Sequence, residues 1–246
     1  MYHFFTDPCL IGEKSLRIVG GDVNHIKNVL RMRPGEEILV SNGKDRDYHC
    51  RITEIDAGGV EAEILEVDDE GTELPVRIHL YQGLPKSDKM ELIIQKVVEL
   101  GVYRIVPVMT RRTIVKLDPK KEENRLKRWN GISESAAKQS KRILIPRVEP
   151  VMGFREAVAE SAGFACRMIP YENAKGMEET RRVVSSIRPG TDVAVFIGPE
   201  GGFEEEEVDL AAEAGIAPIT LGKRILRTET AGMTVLSMLV YQLEKD

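Results

Sequence analysis

The sequence lacks the signatures of several large protein classes. No CxxC pair occurs, and the three cysteines, Cys9, Cys50 and Cys166, lie far apart. An odd count without a framework reads as reduced thiols and a cytosolic protein. The opening MYHFFTDPCLIGEKSLR has no basic region followed by a long apolar one, so no secretory signal is expected. The longest apolar stretches, LIIQKVVELGV and MTVLSMLVYQL, are short or broken by charge, which excludes a spanning helix. There is no GxGxxG after the first strand and no GxxxxGKS or GxxxxGKT, so neither a Rossmann site nor a P-loop is expected. The histidines show no metal-ligand spacing, and His25 and His79 read as structural. Internal repeats and low-complexity segments are missing too.

What is present is a full core and an uneven charge. Hydrophobic residues make up 42% of 246, enough for two modest domains or one large one. The net charge of −5 divides into −8 over residues 1–75, +9 over 76–150 and −6 over 151–246. One basic segment inside an acidic chain fits a local patch that meets a polyanion, or a solvated helical face rich in Lys and Arg. Trp129 within it reads as core.

The first 72 residues read as mostly β, with EEILVSN, YHCRITEI and GVEAEILEV separated by turn signals at NGKD and DAGG. One helix is expected before them, capped by Asp22 and running through VNHIKNVLRMR to the break at Pro34-Gly35. Short strands with one helix suggest a small barrel over residues 1–72. From residue 73 to 246, β and α patterns alternate strictly. That alternation predicts an α/β domain: a mostly parallel sheet with helices on both faces.

Two glycine turns punctuate this second region. IGPEGGF at 197–203 follows the apolar run DVAVF and leads into EEEEVDLAAEAG. Four glutamates in the first turn of a helix complement its dipole and argue against a bound phosphate. The ligand expected there is neutral or cationic, with a flat group close to the backbone. The second turn, TLGKRILRTETA at 220–231, repeats the arrangement around Gly222. Two such turns at strand ends of one α/β sheet mark a ligand crevice, with Lys223, Arg224, Arg227 and Glu229 beside it.

These motifs carry a family resemblance. With IQKVVELGV at 94–102, AAKQSKR at 136–142 and HIKNVLRMRPGEE at 25–37, the chain resembles the RsmE-type small-subunit ribosomal RNA uridine-N3 methyltransferases of the SPOUT (α/β-knot) superfamily. The resemblance runs nearly end to end. It departs at Lys141, where the family commonly carries glycine, and at His3, where arginine is usual; both positions are expected among RNA contacts. The resemblance implies a PUA-like, RNA-binding β-barrel at 1–72 and, at 73–246, a methyltransferase domain with a deep trefoil knot. It implies a homodimer acting on 16S rRNA of the small ribosomal subunit, at a specific uridine (uridine 1498), with S-adenosylmethionine as donor. The family pattern places the donor against Gly198, Glu200, Gly201, Gly202, Leu221, Gly222, Ile225, Leu226, Thr230 and Ala231, with Pro170, Tyr171 and Glu172 as a third wall.

Methyl transfer from a sulfonium is an in-line displacement, and N3 of uridine must lose a proton to attack. Candidate bases are Glu200 and Glu229, and candidate oxyanion stabilisers are Arg112 and Arg227. Carbon-5 methylation usually uses a cysteine nucleophile, and all three cysteines lie outside the turns. A ribose 2′-O-methyltransferase and a non-catalytic RNA-binding protein are the competing readings. RNA contacts are expected at Arg31 and Arg33 and along the basic segment, at Arg111, Arg112, Lys116, Arg125, Arg128, Lys138, Lys141 and Arg142.

Overall fold

The structure is a computed structural model that describes residues 1–69, 71–115, 118–174 and 176–244. The chain separates into two compact units, Met1–Glu73 with Ala137–Ile145, and Leu74–Ala136 with Pro146–Asp246.

The first unit is built on strands β1 (Tyr2–Phe5), β2 (Ser15–Ile18), β3 (Glu37–Ser41), β4 (Asp47–Ile55) and β5 (Val60–Asp68). They form one sheet in the order β1-β3-β4-β5-β2, in which β1 and β3 run parallel and the other pairs antiparallel. Register shifts at His49/Cys50 and Ile52/Glu54 bend β4 against β5 and curl the sheet. The edge strands share no ladder among the described residues, and the Thr6 hydroxyl donates across to the Arg17 carbonyl at 2.5 Å. The curled face closes over Phe4, Leu16, Ile18, Ile26, Ile38, Val40, Ile52 and Val60. The result is a half-barrel. The expected helix is shorter than its sequence pattern: α1 (Gly21–Asn24) passes into a π turn over His25–Val29. Gly20, not Asp22, sits at its start; Asp22 lies inside the first turn, and its carboxylate is bound to the Lys138 ammonium at 2.7 Å.

Residues 137–145, which the sequence reading placed with the second domain, cluster with this first unit. Arg142 grips both carboxylate oxygens of Glu73, and the Thr72 hydroxyl donates to the Lys141 carbonyl at 2.9 Å.

Except where two short strands follow one another at Arg147–Val148 and Met152–Gly153, β and α elements alternate in the second unit as the pattern predicts. They are β6 (Arg77–Gly83), α2 (Lys89–Glu99), β7 (Arg104–Met109), α3 (Pro119–Gln139), β8 (Arg147–Val148), β9 (Met152–Gly153), α4 (Phe154–Glu160), β10 (Cys166–Pro170), α5 (Met177–Ser186), β11 (Asp192–Ile197), α6 (Glu205–Glu213), β12 (Ala217–Ile219) and α7 (Thr228–Leu243). The main strand order is β12-β10-β11-β6-β7-β8, with β9 also on β7, and every pairing is parallel. One face packs Tyr81, Val106, Phe154, Ile169, Phe196, Phe203 and Val208 into a single cluster. The other face of β6 and β11 carries Ile78, Leu80, Val193 and Val195, all buried, on the side of α2 and α7. Burial on both faces explains why these strands read as continuous apolar runs. Trp129 is buried, as expected. His79 is also structural: its Nε2 lies 2.8 Å from Asp192, and Arg104 donates to its Nδ1 at 3.1 Å.

Candidate active site

The carboxyl ends of β10, β11 and β12 open onto one cleft. It is lined by Pro170–Glu172, residues 197–203, residues 220–226, Thr228 and Ala231. The sheet order explains the convergence: the chain leaves β7 and β8 at one side and returns to build β10, β11 and β12 at the other. Crevices of this kind, beyond the carboxyl ends of parallel strands, are where open α/β sheets bind ligands.

Each turn is held from beneath. Helix α7 begins at Thr228, whose buried hydroxyl donates to the Gly198 carbonyl at 2.6 Å and accepts from Gln82 Nε2 at 2.9 Å. Gln82 is fully buried and also donates to the Gly83 carbonyl at 3.0 Å. At Gly83 any Cβ would lie 2.6 Å from the Pro199 backbone nitrogen, so only glycine lets β6 abut the turn. The second turn is pinned by Thr180, whose hydroxyl donates to the Thr220 carbonyl at 2.9 Å and accepts from the Thr220 N–H at 3.1 Å. Gly222 has φ +108°, a conformation side chains rarely adopt, and a Cβ there would meet open space.

The four glutamates do more than complement a dipole. Glu207 accepts from the Glu204 N–H at 3.0 Å and from the Arg111 N–H at 2.9 Å. Arg111 also binds Glu206. Arg112 donates to the Gly201 carbonyl at 2.6 Å and forks onto Glu204 with contacts of 2.9 Å. A hydrogen bond and the charge of Arg112 hold the Glu204 carboxyl below its ordinary range. The acidic first turn of α6 therefore fastens the 111–112 segment, which follows β7, against the glycine turn, by bonds that span more than 90 positions of sequence.

Of the residues expected at the donor site, Pro170, Tyr171, Glu172, Gly198, Glu200, Gly201, Gly202, Leu221, Gly222, Ile225, Leu226 and Ala231 all line the cleft, and Thr230 does not. Thr230 is exposed on α7. The position of a Cβ on Gly201 is 3.2 Å from Arg112 Cβ, so that glycine makes room for the arginine. Ile197, Pro199, Phe203, Thr220, Lys223, Arg224 and Thr228 also line the cleft. Thr228 lies within the second glycine-turn motif, but its support Gln82 carries no sequence signal because the two lie 146 positions apart.

The catalytic candidates divide. Burial disfavours the charge on Glu200, but its own N–H, Lys89 and the Lys86 N–H outweigh that and hold its pKa below the ordinary value. Its carboxylate is thus already occupied. Arg112 is likewise spent on Gly201 and Glu204. Glu229 keeps Oε2 buried without a hydrogen-bond partner, and Arg227 is exposed at the start of α7. Neither lines the cleft; they flank Thr228, which does.

The expected RNA contacts divide too. Arg31, Arg33 and Lys141 are exposed, and Arg125 is half-buried. Arg31 and Lys141 hold positive φ of 55° and 56°. Arg128 pairs with Glu91 at 2.8 Å and Lys138 with Asp22 at 2.7 Å. Arg142 is a correction: it is 4% exposed and bound to Glu73, so it belongs to the protein interior. His3 is buried against Ser41, which removes it from any RNA surface as well. Lys116 lies outside the described residues.

Comparison with known proteins now bears on this geometry. Residues 72–240 match the family described as RNA methyltransferase domain, and residues 20–65 match RNA methyltransferase PUA domain. The ribosomal RNA small subunit methyltransferase E of Bacillus subtilis is 37% identical over 230 residues, 92% of this chain and 90% of its own. The chain belongs to the ribosomal RNA small subunit methyltransferase E family. The solved structure of the Neisseria gonorrhoeae methyltransferase E, bound to S-adenosyl methionine, is 36% identical with a TM-score of 0.85, covering 98% of this chain and 97% of that one. A structure from Legionella pneumophila with bound cofactor SAM is 32% identical, also with a TM-score of 0.85, and covers 98% and 97%. The family's two parts, a PUA domain and an RNA methyltransferase domain, thus fall on the curled sheet and on the parallel α/β sheet.

Proposed function

We propose that this protein transfers a methyl group from S-adenosylmethionine to N3 of a specific uridine in 16S rRNA of the small ribosomal subunit. The observation that carries the reading is the cleft at the ends of β10, β11 and β12, in a chain whose residues 72–240 match an RNA methyltransferase family. The cleft fits the donor. Tyr171, Leu221, Ile225 and Leu226 supply apolar walls for a flat ring, while at Gly202 and Gly222 a Cβ would extend into open space, leaving backbone free to approach a ligand. Bound there, the donor supplies a sulfonium methyl, and no phosphate has to approach the glutamates of α6.

The protein's own task is to align the acceptor, exclude water and take the N3 proton. Glu229, whose buried Oε2 accepts no hydrogen bond and lies 3.8 Å from the Lys89 ammonium, suits the proton better than Glu200; Arg227, exposed and unpaired among the described residues, suits a developing oxyanion better than Arg112. Arg31, Arg33, Lys141 and Arg125 are the cations available for phosphates. We assign residues 1–72 to RNA binding and 73–246 to catalysis, with the trefoil knot of the resemblance interlacing the two glycine turns. A homodimer is supported by Ile225 and Tyr241, apolar side chains 84% and 89% exposed. Small-subunit rRNA as substrate implies a cytoplasmic enzyme, and among the described residues no helix is long and apolar enough to cross a membrane.

The test is to treat 30S subunits lacking the modification with protein and donor, digest them to nucleosides and separate these by chromatography with mass detection. 3-Methyluridine is expected. 2′-O-methyluridine or 5-methyluridine in its place would overturn the N3 assignment, and no methylated nucleoside at all would overturn the enzyme reading.

A further inference from the structure

Lys89, the first residue of α2, stands between two carboxylates from different parts of the chain. Its ammonium nitrogen is 3.0 Å from Glu200 Oε1 and 3.8 Å from Glu229 Oε2. Glu200 belongs to the first glycine turn and Glu229 to the first turn of α7, so one cation joins three elements. Nothing in the sequence pattern singles Lys89 out, and it is not among the residues lining the cleft at the ends of β10, β11 and β12.

The surroundings offer no substitute. Around Glu200 the other polar contacts are its own N–H and the Lys86 N–H, the latter at 3.1 and 3.3 Å to the two oxygens. Arg112, on the far side of the turn, is taken up by Gly201 and Glu204. Arg227, beside Glu229 in sequence, is exposed and bonds to neither carboxylate. Glu229 Oε2 is buried and accepts no hydrogen bond, so the Lys89 charge is what balances it. Removing that shared cation would make at least one of the two carboxyls harder to ionise, because like charges disfavour one another's ionisation.

We propose that Lys89 is a positioning residue that clamps the first glycine turn to α7 by pairing with Glu200 and Glu229 at once. The inference rests on the donor-site reading only for its consequence, the shape of the turn. Its electrostatic core concerns the protein without ligand.

The experiment uses the full chain with carboxyl-labelled glutamate, titrated by carbon-13 NMR. Glu200→Gln and Glu229→Gln identify the two resonances. In Lys89→Met one of the two carboxyls should titrate at least about one pH unit higher than in the parent. Lys89→Arg should restore the parent curve. Lys89→Gln, which keeps a donor and loses the charge, should behave as Lys89→Met and serves if that variant folds poorly. In parallel, calorimetry with S-adenosylmethionine should show affinity reduced about tenfold in Lys89→Met and recovered in Lys89→Arg. Unchanged titration of both glutamates in a folded, charge-free variant would overturn the assignment to Lys89. A shifted titration with unchanged donor affinity would overturn the clamp. A parent protein that binds no donor would instead overturn the donor-site reading and leave the titration result standing.

Discussion

The hydroxyl of Thr228 donates to the carbonyl of Gly198 at 2.6 Å, joining the first residue of α7 to the first residue of the glycine turn. The same oxygen receives a hydrogen from Gln82. One side chain thus fixes where two strand-end segments meet. Thr228→Val removes both bonds without changing shape, and leaves a buried carbonyl and a buried amide short of a partner. The expected cost is about 1–3 kcal/mol in urea denaturation. Donor affinity measured by calorimetry should fall about tenfold, and Thr228→Ser should recover most of both. Native affinity in Thr228→Val would detach this contact from the site.

Arg142 and Arg125 look alike in sequence and differ in the folded chain. Arg142 is buried on Glu73, whereas Arg125 is half-buried on α3 without an ion pair among the described residues. Removing one member of a buried pair strands the other charge, so Arg142→Ala should cost about 3 kcal/mol of stability. Arg125→Ala should leave stability within about 0.5 kcal/mol. It should instead reduce the slope of log RNA affinity against log salt by about 1, if that guanidinium meets a phosphate. Filter binding at several salt concentrations, with melting curves for both variants, reads the two effects separately.

That contrast shows which properties were legible from sequence. The alternating pattern from Arg77 onward predicts every major strand and helix of the second unit, because parallel strands are buried on both faces and amphipathic helices repeat at their own period. The glycine turns predict the cleft because loop composition and strand ends coincide in sequence. Pairing is another matter. Whether an arginine faces solvent or Glu73 depends on segments 69 residues apart. The short strands Tyr2–Phe5 and Ser15–Ile18 are equally hidden, since four residues carry too little alternation to register.

Lys141 gives a sharper case. Its φ of 56° lies in the left-handed region, which is where glycine is favoured. Lys141→Gly should therefore relieve strain and raise stability by up to about 1 kcal/mol, even after glycine's larger entropy in the unfolded chain. RNA affinity should fall slightly if the lost ammonium contacts a phosphate. A destabilised Lys141→Gly in urea denaturation would show that the lysine side chain contributes more than the backbone strain costs.

The half-barrel carries its own pH dependence. His3 is buried with Nε2 2.5 Å from Ser41 Oγ, and burial lowers its pKa from 6.5 to about 4. Between those values the unfolded chain binds a proton that the folded chain refuses. Stability from this group is therefore complete above pH 6.5 and is lost as pH falls toward 4, by at most about 3 kcal/mol. Asp47, bound to the Ser41 hydroxyl, acts in the opposite sense, because burial raises its pKa and protonation of the folded form favours folding as pH falls. The two contributions separate by mutation. His3→Gln keeps a hydrogen-bonding group and cannot titrate, so its stability should change less between pH 7.5 and pH 5 than that of the parent. Urea midpoints for the curled sheet at the two pH values measure the difference. Equal losses in parent and variant would mean that His3 titrates alike in the folded and unfolded chains, so that burial does not lower its pKa.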